Sequence, residues 1–160
     1  SDWICKGWCD ILYEYLDAGY AMAGSRGFYF LDIQKGNKKR MYKWKGYPPT
    51  YRYDEPCGAG RLFSRKALEA LKWEVFDPGS NSSLDYSSMK RLWAIERNWG
   101  SPPIMCSDDP RLVGVAISTY KWINKHKFDD YTVTRNSVWV NDPDTVLSEF
   151  FPEAINLFNE

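Results

Sequence analysis

The apolar residues of this 160-residue chain change their spacing several times, and this alternation constrains the fold more than any other feature. A helix is predicted before Gly19, because apolar side chains there recur at the i, i+3, i+4, i+7 and i+8 positions of one helix face. Residues 20–25 and 27–33 then predict short strands. A turn over 35–39 leads into 40–45, the second arm of a β-hairpin.

The rest of the chain mixes strands and helices without a strict βαβ rhythm and without internal repeats. We therefore predict a single α/β domain over residues 1–160, with a mixed sheet, a β-hairpin and flanking helices. The further predicted elements are a strand over 61–63, a helix over 65–71 capped by Ser64, a strand over Trp73–Phe76, a helix over 86–97, a strand over 112–118, a helix that starts at Asp142-Pro143 and is interrupted by Pro152, and a last turn through Leu157.

Charge and composition argue against several classes of protein. Lys plus Arg and Asp plus Glu both number 21, so no net field attracts nucleic acid or an anionic membrane. No apolar run reaches the length of a membrane span. Four cysteines and one histidine do not form the two close ligand pairs of structural zinc, and nothing requires an oxidising compartment. We expect a cytoplasmic protein without a membrane span.

A corner without bulky side chains precedes the predicted helix at 65–71. Gly58, Ala59 and Gly60 stand directly before Arg61. Glycine is required where the backbone takes a positive φ or where another group approaches the main chain closely. Both explanations stay open from the sequence.

Asp85 also has two interpretations. It lies between a loop rich in Ser, Asn and Gly and the predicted helix at 86–97, and Asp is a favoured N-cap residue. Alternatively, its carboxylate stands at the mouth of a cleft and accepts a proton from an attacking hydroxyl.

Basic and aromatic residues alternate along the predicted hairpin. They are a solvated ribbon whose charges discourage edge pairing, or a surface that binds phosphate and stacks rings. Aromatic residues make up 17% of the chain, enough for a ring-rich core and for stacking side chains in loops. The residues concerned are Lys35, Lys38, Lys39, Arg40, Lys43 and Lys45, with Tyr42, Trp44 and Tyr47 between and after them.

Four stretches, in this order, resemble the second half of a small bacterial or phage GT-A-type glycosyltransferase. "SDWICKGWCDILYEYLDAGY" is similar to the segment in which a Ser-Asp-Asp-like metal motif leads into a helix. "GFYFLDIQKGNKKRMYKWKGY" resembles the hairpin that follows. "GAGRLFSRKALEAL" resembles the acceptor-side strand and helix, and "NSSLDYSSMKRL" resembles the loop and helix that carry the base. Together they cover most of residues 1–95.

The resemblance implies transfer of a sugar from a nucleoside-diphosphate donor to a hydroxyl acceptor. Asp85 would be the general base, and Gly58, Ala59, Gly60 and Arg61 would contact substrate together with Trp44 and Tyr47. Asp2 would bind a divalent cation, Mn²⁺ or Mg²⁺. Trp3 stands where a second Asp is usual, which weakens the expected metal site.

The same resemblance bears on the extent of the protein. Its nucleotide-binding first half would precede residue 1, so we expect this chain to be a portion of a longer protein. A second functional hypothesis stays open: a non-catalytic module that binds carbohydrate through aromatic loops, or nucleic acid through the Lys-rich hairpin.

Overall fold

The computed structural model describes residues 2–36, 38–52, 54–79, 84–95, 103–119 and 136–153. The protein is an α/β domain with mixed sheets, a β-hairpin and helices, which confirms the predicted class. Its elements in chain order are β1 (Asp2–Ile4), α1 (Trp8–Asp17), β2 (Met22–Ser25), β3 (Phe28–Ile33), β4 (Lys39–Trp44), β5 (Leu62–Phe63), α2 (Arg65–Ala70), α3 (Leu84–Ile95), β6 (Ile104–Ser107), β7 (Gly114–Thr119), β8 (Ser137–Val140) and α4 (Pro143–Phe150).

The chain forms two compact units. The first contains Ser1–Trp8, Gly27–Tyr53 and Asp109–Glu160, and the second contains Cys9–Arg26 and Asp54–Asp108.

A five-stranded sheet in the order β1-β7-β3-β4-β8 forms the first unit. Strand β7 pairs parallel with β3 and antiparallel with β1, and β4 pairs antiparallel with β3 and β8. The predicted hairpin is β3 and β4, with Gly36 at a φ of 81° in its turn. Phe28 and Met41 are buried in this unit, and Gly114 leaves the space that the ring of Phe28 occupies.

The second unit contains a three-stranded sheet with β2 at its centre. Strand β5 pairs antiparallel with β2, and β6 pairs parallel with β2 from Met22↔Ile104 to Ser25↔Ser107. The sheet packs on α2 and α3 through an apolar core. Because this core takes one face of each helix, it sets which side of α2 and α3 faces the strands. Its fully buried members are Ala21, Met22, Ala67, Leu71, Met89 and Leu92.

Local chemistry sets two predicted helix starts, and both are confirmed. The Ser64 hydroxyl accepts a hydrogen bond from the Ala67 amide at 3.1 Å and caps α2. The Asp142 carboxylate accepts from the Asp144 amide at 3.1 Å and caps α4, whose first residue is Pro143.

Other predictions differ from the structure or concern residues that the structure does not describe. Trp73–Phe76 is not a strand: Lys72 and Trp73 take positive φ values of 54° and 62°, which an extended strand does not allow. Strands β1, β6 and β8 were not predicted. Helix α3 begins at Leu84 rather than near 86. The predicted last turn through Leu157 lies outside the described residues.

Within the described ranges, every helix is too short or too polar to cross a membrane.

Candidate functional site

The bare corner before β5 has two separate physical causes. Gly60 takes a φ of 69°, a conformation that residues with a Cβ rarely adopt. Gly58 is required for close approach, because a Cβ at this position would overlap the carboxylate of Asp85. Both explanations offered by the sequence therefore apply, each to a different glycine. The group that approaches the main chain belongs to the protein itself.

Asp85 lies in the first turn of α3, as the second residue of that helix. The N-cap interpretation is therefore wrong, since the residue is inside the helix. The side chain is solvent-exposed. Among the described residues, no group donates a hydrogen bond to its carboxylate oxygens. The positive end of the helix favours the negative charge. An exposed carboxylate beside a glycine main chain is suited to accept a proton from a bound hydroxyl.

The main chain of Asp85 is held by two donors. Its carbonyl oxygen accepts hydrogen bonds from the Ser88 hydroxyl at 2.8 Å and from Nη1 of Arg61 at 3.0 Å. Ser88 itself is buried. The backbone of Asp85 is thus hydrogen-bonded both within α3 and to Arg61, the residue directly before β5.

Arg61 is directed into the protein rather than toward solvent. Its side chain is only 4% exposed, and Nη2 forms an ion pair with Oε1 of the fully buried Glu55 at 2.9 Å. It also donates to the carbonyl oxygens of Pro56 and Cys57 and to the Ser88 hydroxyl. Binding of a substrate phosphate by this guanidinium would require it to give up these partners. Its predicted role as a substrate ligand remains a prediction.

Trp44 and Tyr47 belong to the first unit and form an aromatic cluster there. Their rings are arranged edge to face with centroids 4.9 Å apart, and the centroids of the Tyr47 and Tyr51 rings are 6.0 Å apart. The Arg52 guanidinium lies 4.4 Å from the centre of the Tyr47 ring. Tyr51 is 56% exposed, so the cluster has one ring open to solvent.

Asp2, the predicted metal ligand, is exposed on β1. In the ranges that the structure describes, no three His, Cys, Asp or Glu side chains lie close enough together to hold a metal ion. The expected divalent-cation site therefore stays a prediction. Ala59 lies between the two glycines, and its predicted contact with substrate also stays a prediction.

Two carboxylates of the same chain form ion pairs with basic residues of the hairpin. Lys39 pairs with Asp144 at 2.7 Å, and Arg40 pairs across the strands with Asp32 at 2.7 Å. These contacts support the structural interpretation of the ribbon. Lys35, Lys38 and Lys45 are exposed.

A polar group at the ends of the two parallel strands was missed by the sequence analysis. Strands β2 and β6 end together at the buried residues Ser25 and Ser107. Next to them, Nε of Arg26 lies 3.0 and 3.1 Å from the two carboxylate oxygens of Asp108. Carboxyl ends of parallel strands are common positions for ligands. The signal available in the sequence was that each of these strands ends in a serine followed by a charged residue, Ser25-Arg26 and Ser107-Asp108.

Cys106 lies in β6 near this group, and burial raises its pKa to about 12, although the nearby Arg26 acts in the opposite direction. The thiol is therefore neutral near pH 7 and a poor nucleophile. We expect iodoacetamide at pH 8 to modify the exposed Cys9 well before Cys106, as followed by peptide mass spectrometry. Equal rates at the two cysteines would contradict this account.

Replacing Gly58 by Ala tests the contact with Asp85. We expect Gly58→Ala to be less stable than Gly79→Ala by less than about 1 kcal/mol, because the new methyl group displaces the carboxylate, which is the exposed end of its side chain and can rotate away. Gly79→Ala is the matched control, since a Cβ there would meet nothing closer than Asp77 Oδ1 at 3.9 Å. Urea denaturation of the two variants measures the difference. A Gly58→Ala variant more stable than Gly79→Ala would contradict a close approach at Gly58.

No family model, curated protein or solved structure matches this chain.

Proposed function

We propose that this protein takes part in transfer of a sugar from a nucleoside-diphosphate donor to a hydroxyl acceptor, with Asp85 as the general base. The observation that carries the proposal is the exposed Asp85 carboxylate, which lies against Gly58 from the first turn of α3. The resemblance of four ordered segments to a GT-A-type glycosyltransferase supports the same reaction class.

The chemistry has two requirements. A weakly acidic hydroxyl must lose its proton as it attacks the anomeric carbon, and a carboxylate at the acceptor can take that proton. The departing diphosphate must be stabilised, which a divalent cation or basic side chains would do. Donor nucleotide, acceptor, cation and a cytoplasmic location are all parts of this proposal.

A carbohydrate-binding module without catalysis is the second candidate. The cluster of Trp44, Tyr47, Tyr51 and Arg52 supports it, because Tyr51 offers an exposed ring supported by other rings and a guanidinium. A flat, partly apolar ring of this kind stacks on another flat surface. The Lys-rich hairpin supports nucleic-acid binding less well, since Lys39 and Arg40 are paired internally.

The test is a transfer assay on the full-length protein, with a panel of nucleoside-diphosphate sugars, simple glycoside acceptors and Mn²⁺ or Mg²⁺. Release of nucleoside diphosphate that increases with acceptor would support the transferase. Glycan binding that is insensitive to salt and occurs without turnover would support the module instead. Steep salt dependence of oligonucleotide binding would support a nucleic-acid partner.

A further inference from the structure

We infer that Arg61, with Glu55, is a positioning residue that holds the Asp85 carboxylate at Gly58 rather than a ligand of the substrate. The catalytic consequence rests on the proposed function, whereas the structural consequence can be measured without turnover. The inference changes the expected role of Arg61, which the resemblance placed among the substrate-binding residues.

The first step in the argument is the hydrogen-bond capacity of Arg61. A guanidinium has five N–H donors in one plane, and five protein acceptors lie within hydrogen-bond distance of it. Three belong to the loop before Gly58: Glu55 Oε1 at 2.9 Å, Pro56 O at 2.6 Å and Cys57 O at 3.0 Å. The other two, Asp85 O at 3.0 Å and Ser88 Oγ at 3.1 Å, belong to α3.

The second step is the position of these acceptors relative to the contact between Gly58 and Asp85. The Cys57 carbonyl directly precedes Gly58, and the Asp85 carbonyl belongs to the residue that carries the carboxylate. One rigid, planar group therefore binds the main chain on both sides of the contact. The fixed directions of the guanidinium donors set the separation between the loop before Gly58 and the first turn of α3. The single ammonium of a lysine cannot do this.

The third step is burial. The Glu55 side chain is 0% exposed and that of Arg61 is 4% exposed, so their charges are balanced inside the protein. Moving the guanidinium outward to meet a substrate phosphate would leave a carboxylate buried without its cation. The pair is therefore a fixed support. A base needs such support, because a small displacement of a catalytic group greatly slows the reaction.

The test compares Arg61→Lys with Arg65→Lys, its control at an exposed arginine that pairs with Glu69 on α2. For Arg61→Lys we expect kcat to fall at least tenfold while KM changes less than twofold. We expect no additional loss of kcat when the substitution is added to Asp85→Asn. Amide hydrogen exchange should become at least tenfold faster at Met89, the residue whose amide faces the Asp85 carbonyl in α-helical geometry, and stay unchanged at Leu92. Arg65→Lys should change none of these quantities.

Two results would overturn the inference: a raised KM with unchanged kcat, which indicates direct substrate binding, or unchanged kcat and exchange in a folded variant. If Arg61→Lys does not fold, Ser88→Ala removes one acceptor of Arg61 and one donor to Asp85. We expect faster exchange at Met89 in Ser88→Ala, and unchanged exchange there would contradict the inference. Failure of the proposed function is distinguishable, because the native protein would then show no transfer, or transfer that survives Asp85→Asn, while the exchange measurements still report on Arg61.

Discussion

Asp85→Asn is expected to lower the transfer rate by a factor of about 10² to 10⁴ while the protein stays folded. An amide has nearly the shape of a carboxylate, so it fits against Gly58, but it does not accept a proton at neutral pH. The side chain is exposed, and its substitution therefore removes little buried contact. The measurement is the rate of nucleoside-diphosphate release that depends on acceptor, with thermal unfolding as the check on folding.

Asp10→Asn is the matched control for this substitution. Asp10 is also an exposed aspartate in the first turn of a helix, α1, so its replacement changes the charge and the helix end in the same way. We expect it to keep the native transfer rate. Equal rates for Asp85→Asn and the native protein would remove Asp85 from the chemistry and leave the carbohydrate-binding module as the better hypothesis.

Arg61→Ala is expected to lower the free energy of unfolding by about 3 to 5 kcal/mol, the range found when one partner of a buried ion pair is removed. The loss follows from Glu55, whose side chain is 0% exposed and would lose the ion pair that compensates its burial. The carbonyl oxygens of Pro56 and Cys57 would lose a donor at the same time. Urea denaturation monitored by tryptophan fluorescence measures the change.

The exposed Arg65–Glu69 pair gives the comparison for this prediction. Its two side chains are 84% and 54% exposed, so water screens their attraction. Arg65→Ala should leave the free energy of unfolding nearly unchanged. Similar losses at Arg61 and Arg65 would mean that burial does not make the Glu55–Arg61 pair important for stability.

Features that depend on neighbouring residues could be predicted from the sequence. The caps Ser64 and Asp142 bond to amides two or three residues away, and the β3–β4 hairpin joins strands separated by a short turn. Strand β6 was missed because it lies among prolines and aspartates, and its strand state depends on pairing with Met22–Ser25 far along the chain. Pairing with a distant strand, rather than local propensity, therefore makes this segment a strand.

The candidate site was predictable in part. A requirement for bare main chain at Gly58 follows from the sequence, but the group that needs the space could not be identified. That group is Asp85, from a helix that packs on the sheet through residues distant in sequence. The hydrogen-bond partners of Arg61 could not all be predicted from the sequence, for the same reason. Glu55 lies close by in sequence, whereas Ser88 comes near only after α3 has packed.

The most direct test of the central claim, that the Asp85 carboxylate is held against Gly58, is the nuclear Overhauser effect between their protons. The structure predicts clear cross-peaks from the Gly58 Hα protons to the Asp85 Hβ protons in the native protein. Their absence, with both residues assigned and the helical cross-peaks of α3 present, would contradict the claim and the proposed role of Asp85 with it.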